Sequence, residues 1–242
     1  MFNPSYFYNS NASLIKKDLV AAYKLSDGTD SYINAYNGTV GSAVVFSATN
    51  AVDGSAGQFG NDLYSRITIA DNNAFSFTDG TNDKPFSIKA NIYITQTAII
   101  NTIFSRYTGS NNNTSEYIIY LRSTNKLAVL LFNKAAGGVY IGAEVTTPLS
   151  NNTPYNVIVT NNGSGLWTGI KIYLDGVSQT LAPLNNGSGY TSMGNTSLLT
   201  QIANTSTTNN PFRGTIDELY IFKSELNQVQ VDILQTKYFP NF

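Results

Sequence analysis

The chain has 242 residues, a formal net charge of −1, and neither cysteine nor histidine. That inventory excludes disulfides, thiolate metal sites, imidazole zinc sites and every Ser-His or Cys-His catalytic pair. Only 12% of residues are charged and no basic cluster exists, which argues against a nucleic-acid binder.

With 42% hydrophobic and 12% aromatic content, the chain can bury a sizeable core. Residues 1–13 show no basic stretch followed by an apolar one, and no run approaches the ~18 apolar residues of a membrane span. The expectation is a soluble, non-membrane protein, complete from its initiator Met and not exported by the general secretory route. Residues 1–17 are aromatic and Asn-rich without alternation. They read as an N-terminal arm, a possible docking segment, ahead of one domain over residues 18–242.

Period-2 alternation, the mark of half-buried strands, runs through that domain. An apolar stretch at residues 19–25 ends at Ser26-Asp27-Gly28. Over Phe86–Ile94, one face carries Phe86, Ile88, Ala90, Ile92 and Ile94, and the other carries Ser87, Lys89, Asn91 and Tyr93. Tyr117–Leu121 and residues 127–132 are apolar on both faces and fit central strands covered on both sides. Tyr155, Val157 and Val159 alternate with Asn156, Ile158 and Thr160, and Ile170–Leu174 alternates before Asp175-Gly176, a strong hairpin signal. Short strands separated by Gly/Asn turns predict an all-β, two-sheet sandwich.

One helix is expected, following Leu226. Asn227 is a suitable N-cap, Gln230 sits three residues on as in a capping box, and Leu226, Val229 and Ile233 recur at helical spacing.

Several segments, in order, resemble laminin-G-like (concanavalin A-like) domains. They are the opening strand with Asp27-Gly28, Asn37-Gly38-Thr39, Gln58-Phe59-Gly60-Asn61-Asp62-Leu63, and Pro85-Phe86-Ser87-Ile88-Lys89-Ala90. Thr102-Ile103-Phe104-Ser105-Arg106, Ile172-Tyr173-Leu174-Asp175-Gly176 and the closing stretch Gly214-Thr215-Ile216-Asp217-Glu218-Leu219-Tyr220 continue the series. The resemblance covers roughly residues 19 to 236. It implies a two-sheet antiparallel jelly-roll sandwich with one short C-terminal helix. Such domains usually bind carbohydrate or another surface ligand without transforming it. Family members often carry Trp-His where this chain has Tyr155-Asn156, a departure that Tyr155 can fill by packing.

In residues 214–222, simple alternation groups Asp217 with Leu219 and Ile221, and Glu218 with Ile216 and Tyr220. Both faces are then apolar, so one carboxylate is expected to be partly buried and in need of a partner. A structural Ca²⁺ is one candidate, because it takes six to eight oxygen ligands. The resemblance implies Asp27 and Asp30, from the N-terminal Asp-Gly loop, as further ligands beside Asp217. Hydrogen bonds to backbone, or a salt bridge to Arg213 or another base, are the alternatives.

Glycoside hydrolysis needs two carboxyls across a cleft. The Glu-x-Asp-x-x-Glu strand motif of related glucanases is missing, the four glutamates lie in separate elements, and Asp79 and Asp83 read as solvated turn residues. The expectation is therefore no catalysis. Sugar recognition commonly places an aromatic ring against the sugar, with polar groups bonding its hydroxyls. Trp167, after the loop at residues 161–165, is one candidate platform, and Tyr107, Tyr140 and Tyr190 are others.

Together these readings favour a non-enzymatic, lectin-like adhesion module binding a host-surface glycan or polysaccharide. Low charge, high Asn/Thr content and the N-terminal arm suggest the surface of a bacteriophage virion (head fibre, decoration or tail fibre), with other virion proteins contacted through the arm. A homo-oligomer fits this picture. A purely structural virion role and a glycan-cleaving enzyme are the alternatives, as is non-classical export to the cell surface.

Overall fold

A computed structural model describes residues 13–30, 32–109, 112–133, 137–185, 188–206 and 210–235. The strands, numbered in chain order, form two eight-stranded sheets with antiparallel pairings. One sheet has the order β13 (Val177–Ser178), β12 (Ile170–Leu174), β11 (Pro154–Asn161), β6 (Phe86–Ile94), β16 (Gly214–Phe222), β4 (Ala56–Phe59) and β3 (Val45–Ser47). Its remaining strand, β1 (Leu19–Tyr23), also pairs with β16. The second sheet has the order β14 (Leu181–Asn185), β10 (Val139–Val145), β9 (Leu127–Asn133), β8 (Tyr117–Leu121), β7 (Asn101–Arg106), β15 (Thr200–Ile202), β5 (Ile67–Ile69) and β2 (Gly38–Val40).

The main core fills the space between the sheets. All five residues of the apolar β6 face are buried there, opposite Ile119, Val129 and Leu131 of the second sheet. Phe77 stacks on Phe86 with centroids 4.4 Å apart, and Phe104 stacks on Tyr117 at 5.9 Å. Each such side chain stabilises the fold by about 1.5–3 kcal/mol when fully buried.

A second apolar layer covers the outer face of the first sheet. Ile158, Tyr173, Tyr220 and Phe222 pack there against the C-terminal helix α1 (Gln228–Leu234), which contributes Val231 and Leu234. The expected capping box is present: the Asn227 side chain accepts from the Gln230 N–H at 3.1 Å, and Gln230 Oε1 accepts from the Asn227 N–H at 3.0 Å. Residues 13–16 form a helical turn whose Ile15 is buried in this layer. Residues 1–12 of the expected arm lie outside the described residues.

Two expectations need correction. First, β16 does not alternate uniformly. Asp217 pairs with Asn91 and Tyr220 with Lys89, so three steps along β16 match two along β6. Glu218, at φ 47°, is the additional residue of a β-bulge. The bulge keeps Ile216 and Leu219 in the main core and gives Glu218 access to Lys89 on the outer face. Second, β8 and β9 are central strands as expected, but their outer faces are not fully covered. Tyr120 and Leu130 are only partly buried.

Candidate ligand-binding face

The outer face of the second sheet is built by strand register. Ile118, Leu130 and Gly142 lie side by side across β8, β9 and β10. On one side of this row, Phe132 pairs with Tyr140; on the other, Tyr120, Ala128 and Glu144 are aligned. Tyr107, just beyond β7, stacks on Phe132 with centroids 5.0 Å apart, and Phe132 meets Tyr140 edge-on at 5.7 Å. At Gly142 there is no room for a Cβ, which would overlap the Val129 carbonyl oxygen.

This arrangement leaves a shallow groove of about 120 Å³. Ile118 and Leu130 line it together with Tyr107 and Tyr120, and Ile100, Gly109 and Asn210 complete it. Burial pushes the Tyr120 hydroxyl up to about 12; Arg122 opposes that rise, and Tyr140, Tyr107 and Glu144 add to it. Burial, then Tyr140, also raises Tyr107. The hydroxyls are therefore close enough to influence one another, and they stay neutral at ordinary pH. A neutral tyrosine both donates and accepts a hydrogen bond. Beside the groove, Glu144 accepts from Arg122 at 2.6 Å and from Lys126 at 3.5 Å.

Of the four predicted aromatic platforms, Tyr107 and Tyr140 come together here. The other two do not. Trp167 begins a 3₁₀ turn against β10 and β14, where its half-buried ring packs on the main core. Tyr190 is also half-buried, and its hydroxyl donates to Asp83 Oδ2 at 2.8 Å. Asp83 is no solvated turn residue. It is 5% exposed, it accepts from the Met193 N–H at 2.6 Å, and burial raises its carboxyl. Sequence reasoning missed Tyr120, because a tyrosine inside an apolar run was counted as buried.

The predicted metal ligands do not converge. Asp27 is exposed and accepts from the Thr29 N–H at 2.8 Å and its hydroxyl at 2.6 Å. Asp30 is buried and accepts from the N–H groups of Ala22 at 3.1 Å and Tyr32 at 3.0 Å. Asp217 accepts from the Val52 N–H at 2.7 Å and from the Asp53 N–H. Among the described residues no three acidic side chains gather in metal-binding geometry. These residues do not fit the expected Ca²⁺ site, and the backbone alternative describes Asp217. The second acid of the pair, Glu218, binds Lys89 rather than Arg213.

All four glutamates are ion-paired. Glu116 meets Arg106 at 3.0 Å, Glu144 meets Arg122 at 2.6 Å, Glu218 meets Lys89 at 2.9 Å, and Glu225 meets Lys171 at 2.7 Å. The Glu116–Arg106 pair is fully buried, and the partly exposed Asp71 also meets Arg106, at 2.7 Å. Thr196 donates to Glu116 through both its N–H and its hydroxyl at 2.7 Å. This cluster fastens the loop before β15 to the sheet.

The family model described as the concanavalin A-like lectin/glucanases superfamily matches residues 59–232. The chain belongs to this superfamily. Among solved structures, this lectin/glucanase domain is similar to domain 4 of AbnA, a GH43 extracellular arabinanase from Geobacillus stearothermophilus, solved in complex with arabinotriose. The TM-score is 0.65 at 17% identity, covering 90% of this chain and 98% of that one. The binding domain of Paraclostridial Mosquitocidal Protein 1 has a TM-score of 0.67 at 14% identity, covering 91% of this chain and 52% of that one. The botulinum neurotoxin serotype D ligand-binding domain, solved with N-acetylneuraminic acid, has a TM-score of 0.64 at 15% identity, covering 93% and 52%. The chain thus spans about half the length of these toxin domains. Among curated protein sequences, none matches it.

Proposed function

We propose that this concanavalin A-like domain is a non-catalytic carbohydrate-binding module, and that the groove between Tyr107 and Tyr120 holds the sugar. The observation that carries this reading is the groove itself: an apolar floor of Ile118 and Leu130 with tyrosines beside it. Aromatic rings supply contact area to a sugar's C–H face, and phenol hydroxyls bond its edge groups. The hydroxyls of Tyr107 and Tyr120 have no hydrogen-bond partner among the described residues, so a ligand can use both. The ligand reported with domain 4 of AbnA, arabinotriose, supports a neutral oligosaccharide as the class to test first.

The non-catalytic reading rests on the carboxylates. None lines the groove, and Glu144 beside it is held by two cations. The low charge and Asn/Thr-rich composition support display on a bacteriophage virion surface, with a host glycan as ligand. Detection of the protein in purified particles tests that setting, and its absence from them removes it.

A glycan array probed with the wild-type chain and with Tyr120→Ala tests the function. Signal to a subset of glycans, lost in the variant, is expected. Silence across neutral and acidic glycans overturns the reading and favours a purely structural role.

A further inference from the structure

The first sheet carries a different kind of cleft on its outer face. It has a volume of about 210 Å³ and lies between β6, β11, the residues leading into β4 and the end of α1. Exposed apolar lining comes from Val52 and Pro154, and polar lining comes from Asn50, Asn91, Asn156, Asp175, Glu218 and Gln235.

The hydrogen bonds around this cleft run in one direction. Asn156 Nδ2 donates to Asn91 Oδ1 at 2.8 Å and to the Leu234 carbonyl at 3.3 Å. Asn91 Nδ2 donates to Glu218 Oε2 at 3.3 Å, and Lys89 Nζ donates to the same oxygen at 2.9 Å. The Asn156, Asn91 and Lys89 donors are thus engaged within the protein, whereas Asn156 Oδ1 is buried with no partner among the described residues. Flipping this amide does not help, because the oxygen would then face two acceptors. A buried acceptor left unpaired is costly, so a donor from outside is favoured there.

Charge points the same way. Glu218 is balanced by Lys89, but Asp175 receives only the Asn156 N–H at 2.8 Å and has no cationic partner among the described residues. The lining therefore has one negative charge in excess and offers acceptors.

We propose that this cleft is a second ligand site, which takes a small ring bearing both hydroxyl donors and a primary ammonium, an N-unsubstituted amino sugar. The ammonium sits toward Asp175, a ring hydroxyl donates to Asn156 Oδ1, and the apolar walls take the ring's C–H surface. This site lies on the opposite sheet from the tyrosine groove and does not depend on it.

Calorimetric titration of the full chain with glucosamine, N-acetylglucosamine and n-butylamine at mildly acidic pH tests the proposal. Glucosamine is expected to bind at least ~10-fold more tightly than either comparator, a factor equivalent to about 1.4 kcal/mol. Asp175→Asn keeps the positive-φ turn and its acceptor and is expected to lose that preference, whereas Tyr120→Ala keeps it. No glucosamine binding, equal binding of the acetylated sugar or of butylamine, or binding unchanged in Asp175→Asn overturns the proposal. Chemical shifts of the Asn156 side-chain amide provide a second readout, and they must move with glucosamine in the wild type.

Discussion

Lys89 Nζ lies 2.9 Å from Glu218 Oε2, with the lysine side chain 1% exposed and the glutamate 10%. The β-bulge at Glu218 makes the contact, and the Tyr220 ring lies 4.8 Å from the ammonium, a cation–π arrangement. Burial lowers the Lys89 pKa, while Glu218 opposes that shift and holds the charged form.

Breaking this pair from one side strands a buried charge. Lys89→Met is expected to destabilise the fold by about 3–5 kcal/mol in urea unfolding. The double variant Lys89→Met/Glu218→Gln is expected to be clearly more stable than the sum of the two single changes predicts. Additive losses would show that the two groups are not coupled.

Burial, chiefly, raises Asp217 to about 6, above its ordinary value of 3.8. The native state therefore holds this proton more tightly than the unfolded chain does. The protonated form's advantage is complete below the unfolded value and is lost as pH rises through about 6. Stability from this group should therefore fall by about 3 kcal/mol between pH ~3 and ~7. Other buried carboxyls such as Asp83 act in the same sense, so the wild type is compared with Asp217→Asn. The difference between the two pH profiles of unfolding should change across this window, and a constant difference would contradict the assignment.

Trp167 and Tyr120 should separate stability from binding. Trp167→Ala is expected to destabilise the domain by about 2–4 kcal/mol, because a half-buried ring leaves the core, with glycan affinity kept wherever the protein remains folded. Tyr120→Ala should do the reverse. It lowers affinity while shifting the melting temperature little. Parallel calorimetry and thermal melts check both.

The cap of α1 gives a local test. Asn227→Ala removes one half of the capping box and is expected to cost about 1 kcal/mol. Because α1 covers the second apolar layer, the loss should appear first as faster amide exchange in residues 228–234. Unchanged exchange there would show that tertiary packing alone holds the helix.

What could be read from the sequence was set by local periodicity. The β6 alternation, the Asp175-Gly176 hairpin and the Asn227 cap depend on neighbours within a few residues, and all appear as expected. The β16 bulge did not announce itself, because its positive φ falls on Glu218 rather than on glycine or asparagine. Asp83 looked solvated because its partners, Tyr190 and Met193, come from more than a hundred residues away. The tyrosine groove was half visible. Tyr107 and Tyr140 stand out beside loops, but Tyr120 needs the β8–β9–β10 register to show which face it occupies.

Sugar binding on the outer face of the second sheet can be located by mapping backbone and tyrosine ring shifts during titration with arabinotriose or the strongest array glycan. Saturable shifts are expected to cluster at Tyr107, Ile118, Tyr120 and Leu130, and to vanish in Tyr120→Ala. Shifts centred instead on Trp167 or on residues 191–195, with this face silent, would contradict that location.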